Sequence, residues 1–360
     1  MLVYSVCVLL LCCVAGLKNV DKIFEKNEKN QEAVHLQQEK RGTSDLDVIT
    51  SRFLSSLLPV DAAAVTTLDR GVAQNLTLLV TNSTTGDVTF QDVDYFIDTP
   101  AFWPSFFHMK RTSLFCLAFS TPTSVYYNST VLLQTTLRLL STWLKYDYGC
   151  GGRIGVNPGW WYCQVGSPDA LARTILTPAI RSALSSEQVT QALIQLSRAQ
   201  PPASCPDANC VWLGSNALYR ALFTQNETLA GHSIATIFST MKTWSPPSGG
   251  GMQADKSFTM HGPLLYSGGY GMEYVQGIIN ALLYTEGTQW AMQNNDERIS
   301  TFTDFLLDGS AAMISYTETD PTGTSPYGTS FWDISSIGRE ISRVSCQLLK
   351  CYNTDQKEIH

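Results

Sequence analysis

Between residues 104 and 307 the chain alternates helix-length, apolar-periodic stretches with Pro- or Gly-rich breaks, and this punctuation restricts the fold more than any other feature. The spacing predicts helices over 106–121, 128–146, 168–184, 186–199, 217–223, 229–243, 272–286 and 296–307. The second of these carries Val131, Leu132, Leu137, Leu139, Leu140, Trp143 and Leu144. The sharpest breaks are 201–202 and 246–251. Sequential helical hairpins of this kind form a bundle, a solenoid or a closed α/α toroid, and periodicity does not choose among the three. No motif recurs at fixed spacing, which counts against a simple solenoid. A further helix is expected over 45–58, from Leu46, Ile49, Phe53, Leu54 and Leu57, whereas 62–99 reads as extended or irregular surface structure.

Residues 2–14 form an apolar run followed by Ala15 and Gly16, the length and exit of a secretory signal peptide and too short for a comfortable membrane span, with a retained anchor as the alternative. The expected organisation is a signal peptide over 1–16, a charged flexible leader over 17–44 and one helical domain over 45–360. Four N-x-S/T triplets, at Asn75, Asn82, Asn128 and Asn226, agree with a secreted glycoprotein that has no membrane partner after cleavage. Close spacing suggests disulfides Cys150–Cys163, Cys205–Cys210 and Cys346–Cys351, with Cys116 free in an apolar run. No Cys or His cluster has zinc spacing, so neither metal nor cofactor is expected. The net charge of −7 gives no footprint for nucleic acid, and an acidic ligand would need a locally positive pocket.

Polar clusters stand at the expected helix junctions. The richest is 249–271, which holds His261, Tyr266, Tyr270, an acid–base pair and seven Gly. Such glycines allow positive φ or close approach to a ligand. His261 and Tyr270 are nine residues apart, about 13 Å on a straight helix, so the Gly268–Gly269 break is expected to fold the segment back. Asn157, Trp160 and Trp161 flank a Pro-Gly turn, either as flat faces for sugar rings or as anchors for helix packing. Asn216 precedes the helix expected at 217 and reads as its N-cap. Arg339 and Arg343 are four apart, on one face of an expected helix, as an anion clamp or a solvated ion-paired surface. No nucleophile elbow or phosphate loop occurs, and Asp255 and Glu273 make no diagnostic carboxylate pair for hydrolysis.

In order along the chain, these clusters resemble the family-eight polysaccharide lyases, which cleave hyaluronan, chondroitin or xanthan. The family's Asn-Trp-Trp segment and Ile-Gly-x-Pro turn correspond to NPGWWYCQVGSP, its Gly-Ala-Asn to Gly214-Ser215-Asn216, and its Asp-Gly-Ser-aromatic-x-x-His to DKSFTMH. Its Tyr-x-Gly-x-Tyr-Gly matches YSGGYG, and its Arg-rich element matches IGREISR. The resemblance implies an all-α fold, an incomplete α/α toroid of helical hairpins with a short irregular N-terminal segment. It also implies a secreted enzyme acting on an acidic polysaccharide, hyaluronan or chondroitin, by β-elimination. Asn216 and His261 would neutralise the uronate carboxylate, and Tyr270 would take the C5 proton and pass a proton to the departing O4. Arg339 and Arg343 would bind the polymer and support Tyr270 as a phenolate. Asn157, Trp160, Trp161 and Tyr266 would form substrate subsites.

Several residues depart from the family pattern. Lys256 stands for a Gly, Gln164 for a Glu and Ile337 for the first Arg of the Arg-rich element. The chain ends 17 residues after Arg343, where the family pattern continues into β-domains, so an isolated helical domain is expected. The alternative function is a catalytically weak or inactive glycosaminoglycan-binding protein derived from such a lyase.

Overall fold

The computed structural model describes residues 44–59, 61–97, 102–150, 159–202, 205–244, 250–310, 314–317, 330–333 and 343–344. The expected signal peptide and most of the leader, Asn157, Arg339 and the Cys346–Cys351 pair lie outside them. The described residues are predominantly helical, arranged as hairpins of the incomplete α/α toroid class, with a few short strands. They divide into two compact units. One comprises residues 49–200 and 213–233, and the other comprises residues up to 48, 201–212 and 234 onward.

The first unit contains most of α1 (Asp45–Leu57), followed by α2 (Ala62–Leu76) and the hairpin β1 (Leu79–Thr81) and β2 (Val88–Phe90). Then come α3 (Phe106–Ser120), α4 (Thr130–Tyr146), α5 (Ser167–Ile175), α6 (Pro178–Ala183) and α7 (Ser186–Leu196). Helix α3 packs against α2, α4 and α5 around a core of Leu68, Val72, Phe90, Phe115, Leu132 and Leu139. Local chemistry explains the boundaries. The Ser129 hydroxyl accepts from Leu132 N–H at the start of α4, and Ser185 with Gln188 forms a capping box on α7.

Two expectations fail in this unit. Residues 62–76 are helical because the Asp61 carboxylate caps Ala64 N–H at 2.6 Å and Val65, Leu68 and Val72 share a buried face. The single helix expected over 168–184 is two, since Pro178 opens α6 after α5 has ended at Ile175. The Cys150–Cys163 disulfide forms as expected, with Cα atoms 5.4 Å apart, and Cys116 is a free, buried thiol.

A polar seam crosses the same core. The fully buried His108 ring donates through Nε2 to Leu139 O at 2.9 Å, so Nδ1 accepts from Tyr95 Oη at 2.9 Å. Both nitrogens are thereby satisfied in the neutral imidazole, and burial pushes His108 down to about 4. Trp143 Nε1 donates to Gln195 Oε1 at 2.9 Å, and Arg198 ion-pairs with Asp147 just past the end of α4.

The second unit holds α10 (Met272–Thr285), α11 (Glu297–Asp304) and the antiparallel sheet of β3 (Gly251–Met252), β4 (Phe258–Met260) and β5 (Leu264–Leu265). Its core is aromatic: Phe258 and Tyr274 stack at 5.0 Å, Phe302 and Phe305 pack on Tyr274, and Tyr274 Oη donates to Thr240 O at 3.0 Å. A second antiparallel sheet joins β6 (Ile314–Thr317), β7 (Ser330–Asp333) and β8 (Arg343–Val344). Arg343 is therefore in a strand, paired with Trp332, and the helix expected to carry Arg339 and Arg343 on one face does not extend to it.

The unit division falls within α8 (Ala208–Thr224) and α9 (Glu227–Ser239). Helix α8 begins nine residues earlier than the expected 217, because Asp207 starts it by accepting Asn209 N–H at 2.9 Å. Cys205 and Cys210 are neighbouring buried thiols rather than the expected disulfide. The Cys205 thiol and burial together push Cys210 upward.

Candidate active site

In the first unit, a π-helical turn, Tyr162–Gly166, follows the paired tryptophans. Such turns add one residue per hydrogen-bonded ring and recur at functional sites. The turn is held from α8. Asn216, 2% exposed, donates its side-chain amide to Val165 O at 2.9 Å and Gln164 O at 3.3 Å. Asn216 is thus a mid-helix clamp, not the expected N-cap; the Gly-Ser-Asn triplet imitates a helix start while α8 already runs through it.

The two tryptophans have separate surroundings. Trp161 packs edge-on to Phe106 at 6.0 Å and Tyr162 at 5.3 Å, and a Cβ on Gly166 would come within 2.7 Å of its ring. Trp160 is 48% exposed. Trp161 is thus packed among aromatic neighbours, while Trp160 leaves its ring open to solvent.

In the second unit, His261, Tyr266 and Tyr270 come together. The fold-back expected from Gly268–Gly269 is made instead by the β4–β5 hairpin, whose tip is His261 at φ +56° and Gly262 at φ +88°. The chain then enters a second π-helical turn, Ser267–Gly271, which carries Tyr270 into α10. The His261 and Tyr270 rings meet at 5.1 Å and 83°, and Tyr266 stands 5.0 Å from Tyr270 and 6.5 Å from His261. His261 is exposed, and both tyrosines are half-buried. Strand β7 packs beside this π turn and pairs with β8, which carries Arg343.

Lys256, which replaces the family glycine, retains a glycine-like backbone at φ +67° and ion-pairs with Asp308. This position therefore combines a backbone that favours glycine with a charged side chain.

Two residues of this cluster escaped sequence reasoning. Trp212, on α8, places its ring 5.7 Å from Tyr270. Half-buried Asp207, at the start of α8, lies against Gly250, where a Cβ would be 3.1 Å from Oδ2. Burial pushes Asp207 up, offset by backbone N–H donors and by the charge of His261. Burial, Tyr266 and Asp207 all raise Tyr270. Among the described residues, the neighbours that bear on Tyr270 oppose the phenolate, while Arg339, expected to support it, lies outside them. No group of three or more His, Cys, Asp or Glu among the described residues could hold a metal ion.

Known proteins share this architecture. Chondroitinase-AC of Pedobacter heparinus is 22% identical over 241 residues, covering 67% of this chain and 32% of its own length. A chondroitinase AC lyase solved with oligosaccharides superposes with a TM-score of 0.65 at 21% identity, over 76% of this chain and 38% of that one. A Paenibacillus xanthan lyase gives a TM-score of 0.60 at 17% identity, over 77% and 26%. A Streptomyces coelicolor A3 chondroitin AC lyase in complex with chondroitin sulphate gives 0.60 at 19%, over 72% and 35%. The chain spans about a third of the length of these relatives. At such identities the structural likeness shows the fold. Residues 60–322 match the model of the polysaccharide lyase family 8 N-terminal alpha-helical domain, and the chain belongs to that family.

Proposed function

We propose that the protein is a secreted lyase that cleaves uronic-acid-containing polysaccharides, hyaluronan or chondroitin, by β-elimination. The observation that carries this reading is the contact of His261 and Tyr270 at the mouth of the β4–β5 hairpin, with rings 5.1 Å apart and His261 exposed. A proton at C5, alpha to an ionised carboxylate, is weakly acidic because its removal adds charge to an anion. Donors on the carboxylate oxygens, assigned to His261 and Asn216, stabilise the enolate that forms. Tyr270 takes the C5 proton; the electron pair forms the C4–C5 double bond, O4 departs, and Tyr270 returns a proton to it. Arg339 and Arg343 are assigned to polymer binding, with Asn157, Trp160 and Trp161 as subsites. Relatives named for chondroitin and xanthan lyase activity support the substrate class.

A second reading, a weak or inactive glycosaminoglycan binder, draws on two observations. The Asn216 amide is already engaged by two carbonyls, and Tyr270 is raised by its neighbours. One assay separates the two. Incubation with hyaluronan and chondroitin should produce the ultraviolet absorbance of unsaturated uronate, and Tyr270→Phe should lower turnover roughly 10²–10⁴-fold while retaining polymer binding. Binding without any absorbance rise favours the second reading. Normal turnover in the variant removes Tyr270 as the base.

A further inference from the structure

Tyr266 is the joint between the hairpin and the π turn. Its N–H donates to Phe258 O at 2.9 Å, and its carbonyl accepts from Gly271 N–H at 3.0 Å. One residue thus ties the segment that presents His261 to the segment that presents Tyr270. Its ring lies directly over Gly269, where a Cβ would stand 2.4 Å from Cε1 and 2.9 Å from Cδ1. A side chain at 269 would evict the ring. The ring in turn meets Tyr270 at 5.0 Å and 74°, an edge-to-face arrangement that fixes direction as well as distance.

Resting on the reading of Tyr270 as the base, we propose that Tyr266 is a positioning residue: seated over Gly269, its ring holds the Tyr270 phenol in its working direction beside His261. The ring carbons, not the hydroxyl, are what meet the Gly269 position. Ring and hydroxyl can therefore be removed one at a time.

Tyr266→Ala removes both and should lower kcat roughly 10²-fold with little change in KM, the scale expected for a misplaced reacting group. Gly269→Ala should lower kcat in the same direction by displacing the ring. Tyr266→Phe keeps the ring and should return kcat close to the parental value, which a role carried by the hydroxyl would not permit. A 3-fluorotyrosine placed at 270 gives a readout without turnover: its fluorine chemical shift should move in Tyr266→Ala and Gly269→Ala and stay near the parental value in Tyr266→Phe. Thermal melts establish which variants are folded. If Tyr270→Phe is inactive but Tyr266→Ala has parental kcat and pH profile, the proposal is overturned and the base assignment stands. If Tyr270→Phe turns over normally, the base assignment falls instead. An unmoved fluorine chemical shift in Tyr266→Ala overturns the proposal whatever the activity.

Discussion

The π-helical turns Tyr162–Gly166 and Ser267–Gly271 use one device to opposite ends. In each, a glycine lies where a Cβ would strike an aromatic ring: Gly166 at 2.7 Å from Trp161, and Gly269 at 2.4 Å from Tyr266. At Tyr162–Gly166 the ring is wedged among Phe106 and Tyr162, and the turn's carbonyls are taken up by Asn216. At Ser267–Gly271 the ring borders exposed His261 and half-buried Tyr270. A π turn therefore does not by itself mark reactivity. What separates the two is whether the polar groups it displays are satisfied internally or left facing solvent.

If the first turn is held from within, the weaknesses of its unit should be those of buried polar groups. The largest expected effect is at His108. Its folded value, about 4, lies below the unfolded value of about 6.5, so neutral His108 contributes fully above pH 6.5 and loses that contribution as pH falls toward 4. This is worth about 3 kcal/mol, read as a falling urea midpoint over that window. His108→Gln should flatten the slope, and an unchanged slope would place the acid sensitivity elsewhere. Next is Asn216→Ala, which strands two carbonyls and should cost about 1–3 kcal/mol of stability. A variant as stable as the parent but unable to bind polymer would give Asn216 the role of a ligand contact rather than a clamp.

The smallest effect sharpens the second unit. Asp207 is one of the groups that raise Tyr270, so Asp207→Asn should shift the rising limb of the pH–rate profile to lower pH. A limb that stays in place would remove Asp207 from the electrostatics of the site.

Elements whose apolar periodicity and caps agree were legible before any coordinates: Phe106–Ser120, Thr130–Tyr146 and Met272–Thr285 fall within two residues of expectation at either end. Helix α2 was obscured by its Ala- and Thr-rich composition, although Asp61 caps it. The start of α8 was obscured because Gly214-Ser215-Asn216 looks more like a beginning than Pro206-Asp207 does. His261, Tyr266 and Tyr270 could be singled out because they crowd one short segment. Asp207 and Trp212 could not, since they join the cluster only through tertiary packing. Neither π turn leaves a period that a helical or strand template would detect.

The backbone at His261, with φ +56°, has a consequence for how this site tolerates change. An L-residue other than glycine in the left-handed region carries strain of about 1–2 kcal/mol. Histidine is thus held at the hairpin tip against local conformational preference, and glycine there would relieve that strain while removing the imidazole. Selection for thermostability alone would tend to erase the residue on which the proposed chemistry depends, so drift toward Gly at this position is a recognisable signature of lost catalysis in a well-folded descendant.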